Sequence, residues 1–309
     1  MVTNPTSLRL AVLHGGPSSE HDVSVLSAAE VLTVLRQRGH DAEAVWVDRQ
    51  GAWHFGGSAG AGQAVAEPLD LLAALARLAA LKLDAAFMGF HGTWGEDGRL
   101  QAALALAGVP FTGSAMTASA VAMNKPLARL VHAAAGLRVP AALEFKTCDL
   151  AKAEAIHSAA DRLIAKLGLP VVIKVAAGGS SLGVEIARSR ADVIESLTRL
   201  RDADQVLLCE AFVAGVELTA GVLQDADGNI EPLPIVEIAP RGDRWFDYEA
   251  KYDPALTDEI VPARVPAHIE EQAREIGRLA HVALDCRAVS RTDLILAPDG
   301  QLYVLETNT

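Results

Sequence analysis

Cysteine is scarce in this chain. Cys148, Cys209 and Cys286 are spread over 309 residues with no CxxC pair. That count fits neither a disulfide scaffold nor a structural zinc site, and reduced thiols in the cytoplasm are the expectation. Long apolar runs are missing as well. No stretch of roughly 18 apolar residues occurs, so no membrane-spanning helix is expected. Met1 to Ser7 has neither the basic start nor the apolar centre of a signal peptide. Positive charge is the third shortage: 27 Lys and Arg against 39 Asp and Glu leave a net charge of −12. With no dense basic cluster, nucleic acid is excluded as a partner. An anionic substrate must be met by a few placed cations, not by the global field. Finally, no GxxxxGK[ST] occurs, which removes a Walker A loop.

The length suggests two or three domains. Residues 8–13 form an apolar strand, Gly15-Gly16 turn the chain, and Ser18-Ser19 can cap a helix that ends at Gly39. Strands at 43–47, 84–90 and 109–112 alternate with helices near 69–81 and 97–107, around a polar loop at 56–64. That alternation predicts a parallel sheet covered by helices. A helix over 116–135 carries Lys125 and bridges to the rest. Beyond it the pattern predicts strands at 139–146, 170–175, 182–187, 205–212, 216–224 and 230–238. Helices follow at 150–167, 190–201 and 266–284, with an irregular stretch at 240–264 and a closing hairpin.

Five segments carry candidate chemistry. Gly178-Gly179-Ser180-Ser181-Leu182-Gly183 joins two strands, with Lys174 just before it. Its amides and hydroxyls could converge on phosphate oxygens, or it could be a plain turn with an exposed lysine. In the closing hairpin, a two-residue Asp299-Gly300 loop would pair 293 with 306 and 291 with 308. Arg291, Asp293, Glu306 and Asn308 would then share one face, as hard oxygen ligands for Mg²⁺ beside a guanidinium, or as a solvated polar surface. A three-residue loop would break that pairing. Glu20, in Gly16-Pro17-Ser18-Ser19-Glu20-His21-Asp22, is either an ammonium ligand or a helix-start acid favoured by the macrodipole. His91 opens a loop beyond a strand's carboxyl end, where open α/β sheets bind ligands, and is either a ligand-site residue or a structural histidine. Asp247 to Tyr252 is either a lid or a surface loop.

Taken in order, these pieces resemble the D-alanine–D-alanine ligase family of ATP-grasp enzymes. The matching stretches are HGGPSSEHDVSVLSA (14–28), GFHGTWGEDGRLQ (89–101), PFTGS (110–114), MNK (123–125), VVIKVAAGGSSLGV (171–184), DYEAKY (247–252) and SRTDLIL…LYVLETNT (290–309). The resemblance implies an α/β chain of three domains. A Rossmann-like parallel-sheet domain (1–114) precedes a two-domain ATP-grasp fold (115–212 and 213–309). It implies ligation of two D-alanine molecules through an acyl phosphate, with ATP and two Mg²⁺ or Mn²⁺ ions, for cell-wall precursor synthesis. Lys125 and Lys174 match the lysines on the nucleotide phosphates; Gly179, Ser180, Ser181 and Lys251 join them in holding nucleotide. Glu210 and Glu217 match the adenine and ribose contacts. Asp293, Glu306 and Asn308 match the metal ligands. Glu20 matches the residue that orients the first D-alanine's ammonium, with Ser180 and Tyr252 its hydrogen-bonded partners; His91 lies near that substrate. Arg291 matches the cation on the tetrahedral oxyanion. A cytoplasmic homodimer is also implied.

Two departures stand out. The family reads Lys-Pro where this chain has Lys174-Val175 and Ala176-Ala177-Gly178. The chain also stops at Thr309, where relatives continue with Pro-Gly-Met and a Ser-Leu pair that help hold the second carboxylate. The alternatives are a relative using D-lactate or D-serine as acceptor, and a nucleotide-binding form that lacks catalysis because that segment is missing.

Overall fold

A computed structural model describes residues 7–56, 67–176, 183–203, 205–241 and 256–309. The chain divides into two compact units, Met1–Ala120 and Val121–Thr309. The first is built from β1 (Arg9–Gly15), α1 (His21–Gln37), β2 (Asp41–Val47), β3 (Trp53–Phe55), α2 (Leu71–Ala80), β4 (Ala85–Met88) and α3 (Arg99–Leu106). The sheet runs β3-β2-β1-β4, with β1 parallel to β2 and β4 and only β3 reversed. Ala11 and Leu13 enter one core while Leu10 and Val12 enter another beside Ala28 and Leu32. Burial on both faces is why β1 reads as a continuous apolar run. The strand expected at 109–112 is reduced to a single bridge between Ala86 and Phe111. Glu20, not a serine hydroxyl, precedes α1; Ser18 Oγ instead accepts from the Glu20 amide at 3.1 Å.

The helix expected over 116–135 is two helices, α4 (Met116–Met123) and α5 (Lys125–Ala134). Asn124 breaks it: its backbone is extended and its side chain accepts from Leu127 N. Pro126 then lacks the amide a continuous helix needs.

A four-stranded antiparallel sheet, β5-β8-β6-β7, follows. Its elements are β5 (Ala142–Lys146), α6 (Ala153–Leu167), β6 (Val171–Val175), β7 (Val184–Ala187), α7 (Arg190–Leu200) and β8 (Val206–Ala211). Phe145, Val171, Ile173, Leu207 and Cys209 meet α6 and α7 in one core. Period-two alternation turns Lys174 and Glu210 to the other face.

The last sheet runs β12-β11-β9-β13-β14, with β10 beside β9. Its elements are β9 (Val216–Gln224), β10 (Ile230–Pro232), β11 (Val236–Pro240), β12 (Thr257–Ile260), helix α8 (Ala267–Ala283), β13 (Val289–Leu296) and β14 (Leu302–Asn308). The strand expected at 230–238 is split because Pro232 and Pro234 cannot donate to a ladder. The stretch expected to be irregular contains β12, paired antiparallel with β11. Leu218, Ala220 and Leu294 face α8; Thr219 and Asp293 face away. Among the described residues no helix is long and apolar enough to cross a membrane.

Candidate functional site

The residues singled out in the sequence fall in one cluster in the first unit and two in the second. In the first unit, the turn after β1 meets the loop after β4. Ser24 ties them: its hydroxyl donates to Gly89 O at 2.6 Å and accepts from Gly15 N at 2.8 Å. Glu20 is buried, and its carboxylate lies against Gly92, which adopts a positive φ of 72°. The Gly92 amide donates to Glu96 Oε2 at 2.9 Å, and the adjacent His91 ring reaches Ser27 Oγ at 3.2 Å. Glu20 and His91 therefore come together beyond the carboxyl ends of parallel strands, where such sheets bind ligands.

In the second unit, the closing hairpin puts its four candidates on one face by an unexpected route. The turn has three residues, not two: Ala297 N donates to Gln301 O, and Gly300, at φ 80°, closes back on Ala297 O. Left alone, that turn would offset the ladder. A bulge beyond Leu294–Val304 restores it, so Asp293 faces Glu306 and Arg291 faces Asn308 after all. Asp293 accepts from Thr219 Oγ1 (2.7 Å), Arg291 Nε and Nη2 (3.0 and 3.2 Å) and Asn308 Nδ2 (3.2 Å). Lys125 Nζ lies 3.8 Å from Glu306. Glu217 lies two residues before Thr219 on the same side of β9.

A second charged group sits on the β5-β8-β6-β7 sheet. The Glu210 carboxylate, buried, takes Lys174 at 2.5 Å on one oxygen and Arg129 at 2.6 Å on the other. Helix α5 links the two groups. Lys125, Arg129 and His132 recur at helical spacing, and they reach Glu306, Glu210 and Thr307 respectively. The Lys125 amide also donates to Ala176 O at 3.0 Å, at the end of β6. Arg129, His132 and Thr219 were not singled out in the sequence. The i, i+4, i+7 spacing from Lys125 was a signal for the first two, and parity with Glu217 for the third. Gly179, Ser180, Ser181, Lys251 and Tyr252 lie outside the described residues.

The donors on the hairpin suit a hard divalent cation: two carboxylates and an amide whose carbonyl oxygen is left over after Nδ2 turns to Asp293. Among the described residues no group of three or more His, Cys, Asp or Glu is placed to hold a metal. A site here thus rests on two acids and Asn308. Cys209 is no nucleophile, since burial, and then the charge of Glu210, push its thiol up to about 12.

Behind these strands, on the opposite face, His132 Nε2 meets Thr307 Oγ1 at 3.1 Å, which meets Thr292 Oγ1 at 3.0 Å. Burial, and then the charge of Arg129, lower His132 from 6.5 to about 4. The unfolded histidine binds a proton below pH 6.5 and the folded one only near pH 4. This contribution is therefore complete above 6.5 and is lost as pH falls. Urea unfolding should show His132 removing about 2 kcal/mol of stability between pH 7 and pH 5. His132→Gln should flatten the profile by that amount; an unchanged slope would place the acid sensitivity elsewhere.

Residues 9–114 match the family described as D-ala D-ala ligase N-terminus, and 131–309 its C-terminus. The D-alanine–D-alanine ligase of Desulforudis audaxviator is 36% identical over 304 residues, covering 97% of this chain and 88% of that one. Among solved structures, the VanG D-Ala:D-Ser ligase from Enterococcus faecalis superposes with a TM-score of 0.80 at 26% identity, covering 98% of this chain and 90% of its own. The D-alanine–D-alanine ligase from Bacillus anthracis gives 0.74 at 30%, covering 98% and 87%. The expected α/β architecture, a Rossmann-like sheet followed by an ATP-grasp fold, is the one these relatives have. With both family domains matched in order along nearly its whole length, the chain belongs to the D-alanine–D-alanine ligase family.

Proposed function

We propose that the chain joins two molecules of D-alanine at the expense of ATP, by way of an acyl phosphate. The observation that carries this reading is the single face bearing Arg291, Asp293, Glu306 and Asn308, within a chain of this family. A carboxylate is a poor acyl donor, and transfer of the ATP γ-phosphoryl group to the first D-alanine makes it a good one. Lys125 and Lys174 offset phosphate charge, a role that suits cations already held beside Glu306 and Glu210. Asp293, Glu306 and Asn308 would hold one or two magnesium ions, which supply charge neutralisation on phosphoryl oxygens when bound. Glu20 takes the first substrate's ammonium, with His91 beside it. Arg291 donates to the oxyanion formed when the second amine attacks. Gly179, Ser180, Ser181, Lys251 and Tyr252 complete the nucleotide and substrate contacts in this reading, and Glu210 and Glu217 the adenosine contacts. The two sheets of the second unit serve as the two ATP-grasp domains, divided near residue 212, and the active form is a cytoplasmic homodimer.

Phosphate release from ATP should require D-alanine and not L-alanine, with the dipeptide appearing by mass spectrometry. Equal release with either isomer would remove the stereospecific ligase reading. The similarity to a D-Ala:D-Ser ligase favours one second reading, in which D-serine is the acceptor. Mixed D-alanine and D-serine, with the products weighed, separates the two.

A further inference from the structure

We propose that Arg129 is a positioning residue for nucleotide binding, acting by releasing Lys174 from Glu210. It rests on the reading of Lys174 as the lysine that meets phosphate.

Three elements converge on one carboxylate. Glu210 stands opposite Val172 in the β6–β8 ladder, so Lys174 is its diagonal neighbour on the same sheet face. Lys174 Nζ takes Oε2 at 2.5 Å. Arg129 arrives from α5, and its Nη1 takes Oε1 at 2.6 Å. Its Nη2 donates to Pro140 O at 2.7 Å, just before β5, so the guanidinium is fixed at both ends. All three side chains are largely buried, Glu210 most of all.

The charge count decides what this does. One carboxylate stands between two cations, so it can release one of them and stay paired. Without Arg129 the Lys174–Glu210 pair is neutral. A phosphate drawing Lys174 away would then strand a buried carboxylate with no cation, a costly state. With Arg129 in place, Glu210 keeps a charged partner when Lys174 turns to the ligand. Adenosine has no phosphate and leaves Lys174 on Glu210, so the carboxylate read above as an adenosine contact stays paired even without Arg129, and the effect of Arg129 is confined to phosphate affinity through Lys174.

ADP and adenosine separate this role from simple support of the fold. Both bind the nucleoside pocket; only ADP presents phosphates. In excess magnesium, Arg129→Gln should weaken ADP about tenfold and leave adenosine within about twofold, by titration calorimetry or ligand-observed NMR. Arg129→Lys should restore most of the loss. In a Glu210→Gln background, where no buried carboxylate is left to strand, the same Arg129→Gln change should cost ADP less than about twofold. Equal weakening of ADP and adenosine would make Arg129 a structural residue and overturn the proposal, as would an undiminished loss in the Glu210→Gln background. An unsubstituted chain binding ADP no tighter than adenosine would overturn the nucleotide reading itself, and the proposal with it.

Discussion

Replacing Arg291 with alanine is expected to lower kcat by about two to three orders of magnitude and leave ATP affinity within about twofold. The guanidinium is half exposed and makes two bonds to Asp293. Its removal leaves Asp293 the Thr219 hydroxyl and the Asn308 amide, so the strand pair keeps its cross-links. Lys125 and Lys174, the cations read as phosphate contacts, remain on Glu306 and Glu210. In the proposed mechanism, what disappears is a donor whose work is confined to the charge that develops during attack on the acyl phosphate. Steady-state kcat beside binding of a non-hydrolysable ATP analogue is the measurement. Parallel losses in both would move Arg291 from the oxyanion to the bound nucleotide.

The second large effect is expected at Gly92. A methyl group there would run into the Glu20 carboxylate and the Ser18 hydroxyl, and the backbone is at φ 72°. Left-handed backbone costs a side-chain-bearing residue about 1–2 kcal/mol, so Gly92→Ala should lose at least that in unfolding free energy. Because Glu20 is displaced from the wall it rests on, KM for D-alanine should rise about tenfold or more, with ATP affinity unchanged. A Gly92→Ala chain with normal KM for D-alanine would show that Glu20 does not hold the substrate. Glu20→Gln separates the two parts: it removes the charge without the clash, so it should raise KM and spare stability.

Much of this was open to reading along the chain, because the site follows from parity. Lys174 and Glu210 fall on the face away from α6 and α7 since their neighbours Ile173 and Cys209 are needed in the core. The hairpin face was legible for a similar reason, though the route to it was not. Asp299-Gly300 signals a two-residue turn, while the chain makes a three-residue turn and corrects itself with a bulge at 305. No local preference announces that bulge; it is set by how β14 is matched to β13, which in turn is fixed on β9. Arg129 stayed hidden for a different reason. An arginine on an amphipathic helix is ordinarily a solvated residue, and its partner Glu210 is 81 positions away. The break at Asn124 was written in Asn-Lys-Pro, but an apolar run on both sides outweighed it. His132 offered only its helical spacing from Lys125, since burial beneath a sheet is a tertiary fact.

Lys125 joins the two sheets of the second unit through different chemistry at each end. Its ammonium reaches Glu306 on β14 and its main-chain amide holds Ala176 beyond β6. Side-chain replacement severs only the first of these attachments, so an alanine scan samples half of what the position does. The other half belongs to the peptide backbone. It answers to an ester linkage in place of that one amide, by which chemical synthesis can cut the main-chain tether and leave the lysine untouched.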